Sequence, residues 1–400
     1  MSASRQVSCH GADAMRAAVA VPRLRRDVAA DPIVMLGCLR VLLVGPLPPP
    51  AGGMANQTQQ LAELLRREWA RVDVVAVNAP YRPAWAGRIK GVRAGFRLVP
   101  YLWSLWRACG RADLVHVMAN SGWSWHLFAA PAVWIAWLRR TPVVVNYRGG
   151  AAGDFLRQAA PWVRSTMRRA GALVLPSDFL LEVFARYGMQ GRIVSNVVDI
   201  DRFYPISLRP ERGAAPHLVV ARNLEAIYGN DVALHAFALL LEEYPAARLT
   251  LAGSGPETAA LHELARSLGV AERVRFPGRL DRDQMAALYR DADLMINASR
   301  VDNTPNAILE ALASGVPVVS TDVGGISYLV HHLDTAMLVQ PDEPAAMAAA
   351  IKAVLTNQDL RNRLVSNGLT QVSRYRWQSV RSELAAVYQA ALQAAGRQLG

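Results

Sequence analysis

From Arg40 onward, short aliphatic and β-branched runs alternate with stretches of helical length: VLLVGP, VDVVAV, DLVHVMA, TPVVVNY, ALVLPS and RIVSNVV. Runs that are apolar throughout, with no alternating polar face, predict strands buried on both sides, as in parallel sheets covered by helices. A polar, proline-bearing stretch from Tyr204 to Pro216 interrupts the pattern, which resumes with HLVVAR, RLTLAG, RVRFPG, DLMINAS and VPVVST. The chain is therefore expected to be α/β, with two doubly wound parallel domains over residues 38–205 and 206–374. A long helical pattern over residues 375–400 follows. Such sheets bind ligands beyond the carboxyl ends of their strands, so two of them face to face predict a site in the cleft between domains.

Four hundred residues with 52% hydrophobic content suffice for two domains with real cores and exclude a disordered or fibrous chain. Charge is unevenly spread. Residues 1–200 hold 25 Arg and Lys against 11 Asp and Glu, the remainder 19 against 21, and nine of the ten Trp lie in the first half. A basic surface with interleaved aromatics suits nucleic acid or an anionic membrane. No zinc-finger, RNP or basic-helix motif is present, so a membrane surface is the expected partner and nucleic acid is not.

Residues 114–138 carry no charged side chain, a length that invites a membrane-span reading. Asn120, Ser121, Gly122, Ser124 and His126 interrupt it, and DLVHVMA followed by WHLFAAPAVWIAWL reads as a buried strand and its helix. Peripheral attachment through a segment such as GFRLVPYLWSLWR is the expectation, at the inner face of the cell membrane. Cys9, Cys38 and Cys109 are scattered, with neither disulfide nor metal spacing, which fits a reducing cytoplasm. Residues 1–37 lack a continuous apolar segment ahead of a cleavage site and are read as a disordered or mis-started tail.

The stretch SRVDNTPNAILEALASGVPVVS carries the chemistry. Pro305 can open a helix, Ile308, Leu309 and Leu312 give it an apolar stripe, and Glu310 lies on it. Asp302 stands in the preceding loop, where free backbone N–H groups and the helix dipole favour an anion such as a diphosphate. The segment resembles the C-terminal signature of the family 4 retaining glycosyltransferases, E-x7-E within S-x-x-E-G-x-x-x-x-x-x-E-A-x-A-x-G-x-P-V-V. Ser299, Glu310, Ala311, Ala313, Gly315, Pro317, Val318 and Val319 match; Asp302 replaces the first Glu, and Asn303-Thr304-Pro305-Asn306 replaces Gly-Phe-Gly.

Other segments extend the resemblance from Arg40 to the C-terminus. PPPAGG, ending in Gly52 and Gly53, resembles a P-P-x-G-G loop facing donor phosphates and acceptor. VVARNLEAIYGND resembles G-R-L-x-x-x-K-G, with Arg222 matching and Tyr228 standing where Lys is expected. Gly253, Gly255 and Pro256 match a G-x-G-P loop, VRFPGRLDRDQMAALYRDAD resembles the element that holds the base around Gly278 and Arg279, and SNVVDIDRFYP resembles the interdomain N-G-V-D-x-x-x-F-x-P.

The resemblance implies the GT-B architecture of two Rossmann-like domains, its last helix crossing back to the first. It implies transfer of a sugar from a nucleotide diphosphate (UDP- or GDP-linked) to a hydroxyl of a glycan or polyprenyl-linked acceptor, with retained configuration, no cofactor and no metal. Asp302, Glu310 and Arg222 would carry catalysis. Donor contacts would come from Gly52, Gly53, Arg148, Arg222, Asn223, Gly253, Gly255, Gly278, Arg279, Asn303, Asn306, Leu309 and Glu310, with Arg148 or Arg279 supplying the charge that Tyr228 lacks. His116, within DLVHVMA, reads as a buried strand histidine. A non-catalytic transferase-like partner and a sugar-nucleotide 2-epimerase are the alternatives.

Overall fold

A computed structural model describes residues 37, 39–49, 52–68, 70–80, 93–206 and 215–396, side chains of 93–95 excepted. The expected N-terminal tail, apart from Gly37, and much of the stretch joining the two halves lie outside the described residues.

The first domain runs β1 (Arg40–Gly45), α1 (Gly53–Arg67), β2 (Arg71–Ala76), α2 (Arg93–Cys109), β3 (Leu114–Ala119), a π-helical turn at Trp125–Ala129 leading into α3 (Ala130–Leu138), β4 (Val143–Tyr147), α4 (Ala152–Met167), β5 (Ala172–Leu175), α5 (Asp178–Ala185) and β6 (Arg192–Ile193). The second runs β7 (His217–Val220), α6 (Asn230–Leu241), β8 (Arg248–Ala252), α7 (Thr258–Ser267), β9 (Val274–Gly278), α8 (Arg282–Asp291), β10 (Leu294–Asn297), α9 (Asn306–Ala313), β11 (Val318–Thr321), α10 (Ile326–Leu329), β12 (Met337–Val339), α11 (Pro344–Thr356) and α12 (Gln358–Val372). α13 (Trp377–Ala394) ends the described chain.

Each domain holds a six-stranded parallel sheet, ordered β2-β1-β3-β4-β5-β6 and β12-β11-β10-β7-β8-β9. All six residues of β3 are buried, His116 included. The uncharged run over 114–138 is thus a central strand and a covering helix, and no helix among the described residues is long and apolar enough to cross a membrane. The strand order reverses between β1 and β3 in the first sheet and between β7 and β10 in the second, opening a crevice beyond the strand ends at each point.

α13 returns to the first domain. Its Val380, Leu384, Val387, Tyr388 and Leu392 are buried with Leu39, Val41, Leu65, Leu114, Val144 and Val174. The indole Nε1 of Trp377 and Nη1 of Arg381 both donate to Glu68 Oε1, at 2.8 and 3.0 Å. The last helix therefore braces the first sheet, and the two domains are joined at both the 194–206 crossover and this return.

Candidate functional site

The two crevices open into one cleft of about 710 Å³ between the domains. The first domain contributes the start of α1 (Gly52, Gly53, Asn56, Gln57), Asn120 after β3, Arg148 after β4, and Asn196 in the crossover. The second contributes Arg222 and Asn223 after β7, Ile227 and Tyr228, Gly253, Arg279 and Arg282, the loop from Val301 to Pro305, then Asn306, Ala307 and Glu310 of α9.

Several residues singled out in the sequence meet here. Arg222 Nη2 donates to Asp302 Oδ2, which also accepts from Ser299 Oγ at 3.1 Å, while Oδ1 takes the Asn303 N–H at 2.9 Å. Asp302 is thus fully satisfied from its own domain. The Arg222 guanidinium lies 4.2 Å from the centre of the Tyr228 ring, and its Nε is buried without a hydrogen bond among the described residues. Where the resemblance leads to a second cation, the chain places an aromatic face that orients the first. Because the pair neutralises Arg222, less free charge faces the cleft from this wall than the sequence suggests.

Glu310 projects from α9 into the cleft while Ile308, Leu309 and Leu312 of the same helix are buried. Burial pushes its carboxyl up to about 7, against the pull of Arg282. A carboxylate held near neutrality, with no side-chain hydrogen bond among the described residues, is free to accept hydroxyl groups from a ligand. Tyr289 beneath it donates to the Ala307 carbonyl at 3.1 Å, and burial followed by the nearby Glu310 charge raises its phenol.

The loop before α9 is tied to the first domain. Asn303 Oδ1 accepts from Ser177 Oγ at 2.8 Å; Asn306 Oδ1 accepts from Gln57 Nε2 at 3.1 Å and Asn196 Nδ2 at 2.7 Å. Asn196 Nδ2 also donates to the Thr304 carbonyl at 3.0 Å. Arg148 donates from Nη1 to Asn196 Oδ1 and from Nε to Asn146 Oδ1 at 2.7 Å.

Gly52 and Gly53 face open space, so the start of α1 leaves room for a ligand against its amides. The other glycines behave differently. A Cβ on Gly253 would collide with the Arg222 carbonyl oxygen, and one on Gly255 with that of Leu224. These two glycines let the loop after β8 pack against the loop after β7; Gly253 reaches the cleft and Gly255 does not. Gly278 and the Leu309 side chain also lie outside the cleft lining, Leu309 because it is fully buried in the second domain's core. Arg279 lies at the exposed rim, with Nε on Ser254 Oγ at 3.2 Å. Asn223 lines the cleft, its side chain held by Glu225 at 3.0 Å. His116 is buried behind Arg148, and burial followed by the Arg148 charge lowers its pKa to about 3. The sequence did not single out Gln57, Asn120, Asn196 or Arg282 as site residues; Asn196 and Arg282 stood within quoted motifs, and Asn120 was read only as an interruption of the apolar run.

Comparisons place the chain among known families and folds. Residues 52–196 match the glycosyl transferase 4-like domain family, and residues 210–371 match the glycosyl transferases group 1 family. Glycogen synthase of Mycobacterium tuberculosis is 30% identical over 296 residues, 70% of this chain and 69% of that one. Phosphatidyl-myo-inositol mannosyltransferase of Mycobacterium leprae is 26% identical over 364 residues, covering 84% and 93%. Among solved structures, sucrose-phosphate synthase from Thermosynechococcus elongatus has a TM-score of 0.71 at 20% identity, covering 89% of this chain and 99% of that one. Anabaena HepE in complex with UDP and glucose has a TM-score of 0.69 at 18% identity, covering 88% and 99%. The chain belongs to the family 4 glycosyltransferases, with two Rossmann-like domains of the GT-B type.

Proposed function

We propose that this glycosyltransferase moves a hexosyl group from a UDP- or GDP-linked donor to a hydroxyl of a lipid-linked glycan acceptor, with retained configuration and no metal, in building cell-envelope or exopolysaccharide glycans. The carrying observation is the cleft itself, where Glu310 and Arg222 face the open start of α1 across about 710 Å³. Glu310 would accept the ribose hydroxyls. Arg222 would meet the diphosphate once Asp302 turns to the donor sugar. Departure of the diphosphate is the step that gains most from fixed positive charge, because charge grows on its oxygens as the glycosidic bond breaks. The leaving phosphate, on the same face as the incoming hydroxyl, would take the acceptor proton.

An anionic membrane surface is the proposed workplace. Trp103, Trp106 and Trp137 of the packed pair α2 and α3 are 60%, 45% and 48% exposed. The guanidinium of Arg107 lies over Trp103 at 4.5 Å, that of Arg139 over Trp106 at 4.9 Å, and that of Arg169 over Trp134 at 3.6 Å. Indoles flanked by arginines suit the interface between headgroups and acyl chains, and this supports a lipid-borne acceptor at the inner face of the membrane.

Incubating the protein with labelled nucleotide sugars and lipid-extracted acceptors, in the presence of a chelator, tests the reading. Label should enter the lipid fraction with the donor's anomeric configuration, and inversion or loss of transfer on chelation would contradict it. The neutralised Arg222 and the absent lysine favour a second reading, a non-catalytic partner, which predicts weak or no binding of any nucleotide diphosphate.

A further inference from the structure

Arg148 occupies an unusual position for a cation. It follows β4 at the floor of the cleft, and burial pulls its guanidinium down to about 10. No carboxylate pairs with it among the described residues; its partners are the amide oxygens of Asn146 and Asn196. The other cleft arginines differ. Arg222 is paired with Asp302, Arg282 shares Asp199 at 3.4 Å, and Arg279 is exposed at the rim. Arg148 is half-buried on the cleft lining, and a charge drawn largely out of water without an opposite charge is costly unless a ligand supplies one.

A chain of hydrogen bonds fixes the Arg148 fork. Arginine only donates, so Asn146 and Asn196 must turn their oxygens to it and their amide groups away. Asn146 Nδ2 then donates to His116 Nε2 at 3.0 Å, which leaves the proton on Nδ1 to donate to the Tyr388 hydroxyl of α13 at 2.8 Å. On the other side, Asn196 Nδ2 donates to Asn306 Oδ1 and to the Thr304 carbonyl across the domain boundary. This polarity requires a neutral His116. Nε and Nη1 of Arg148 are thereby committed, while Nη2 makes no hydrogen bond among the described residues.

We infer that Arg148 is a phosphate-binding residue for the donor, supplied by the first domain and held by Asn146, Asn196 and His116 as positioning residues. The inference rests on the transferase reading and deepens it. The diphosphate is gripped from both domains, from one side by Arg222 and from the other by Arg148, and Asn196 links that grip to the loop that opens α9.

Calorimetric titration of UDP against uridine, and of GDP against guanosine, tests this with wild type, Arg148→Met and Arg148→Lys, each checked for folding by thermal melting. No acceptor is present, so the preference for diphosphate over nucleoside reports the donor phosphates alone. Arg148→Met should reduce that preference about tenfold to a hundredfold, the loss of one charge-assisted hydrogen bond, with nucleoside affinity unchanged. If Arg148→Met does not fold, Arg148→Lys carries the test: lysine keeps the charge but loses the fork, and the preference should fall about threefold to tenfold. An unchanged preference in a folded variant overturns the inference while leaving the transferase reading intact. A wild type that binds neither diphosphate overturns both.

Discussion

At the scale of single residues, Glu310 is the most sensitive reporter of the cleft. Its carboxyl is raised from 4.5 to about 7 by burial, with Arg282 opposing. The folded chain therefore keeps a proton that the unfolded chain releases, and this group's contribution to stability falls as pH rises from 4.5 to 7. Ligand binding runs the other way, because ribose hydroxyls donate best to the ionised form. Nucleoside affinity should tighten as pH rises through about 7 and become flat in Glu310→Gln; calorimetry with uridine and guanosine, which carry no phosphate to titrate, checks this. The sequence exposed Glu310 because its helix places an acid beside an apolar stripe. It hid the Arg222–Asp302 pair, whose members stand 80 positions apart, and Asn196, whose partner Asn306 stands 110 positions away. Side-chain partners far apart in sequence, whether within one domain or across the boundary between two, leave no periodic trace.

At the scale of elements, the strands were legible because parallel strands are apolar on both faces, and eleven appear where the runs lie. β12 was not: three half-buried residues at a sheet edge give too short a run. Loop glycines carry two signals at once, since Gly253 and Gly255 have the pattern of a ligand loop and are also small for the sake of neighbouring carbonyls, and only Gly253 lines the cleft. α13 matters more than its terminal place implies. Leu384 on it is buried among first-domain side chains, so Leu384→Ala should cost about 2–5 kcal/mol of that domain's stability, read from denaturant melts. A change below about 0.5 kcal/mol would mean that α13 does not brace the sheet.

For the whole molecule, charge is unevenly distributed. Between Asp73 and Asp154 the chain has one acid, Asp113, and ten basic residues, and the exposed indoles of α2 and α3 lie in this same segment. Vesicles containing anionic lipid should therefore co-sediment with the protein, neutral ones much less, and rising salt should release it. Trp103→Ser with Trp106→Ser should weaken binding by more than about tenfold without altering nucleotide affinity, given about 1.5–3 kcal/mol per buried large apolar side chain. Equal binding to neutral and anionic vesicles would remove the electrostatic part of the account.

The central claim is that the cleft between the two domains receives a nucleotide diphosphate through Glu310 and Arg222. Calorimetric titration with UDP, GDP, ADP and their common sugars, comparing wild type with Glu310→Ala and Arg222→Ala, tests it most directly. Selective binding of one nucleotide, weakened at least about tenfold in each variant, is the predicted result, since each loses a hydrogen bond to a charged group. Absence of binding by every nucleotide, or binding that survives unchanged in both variants, would contradict it.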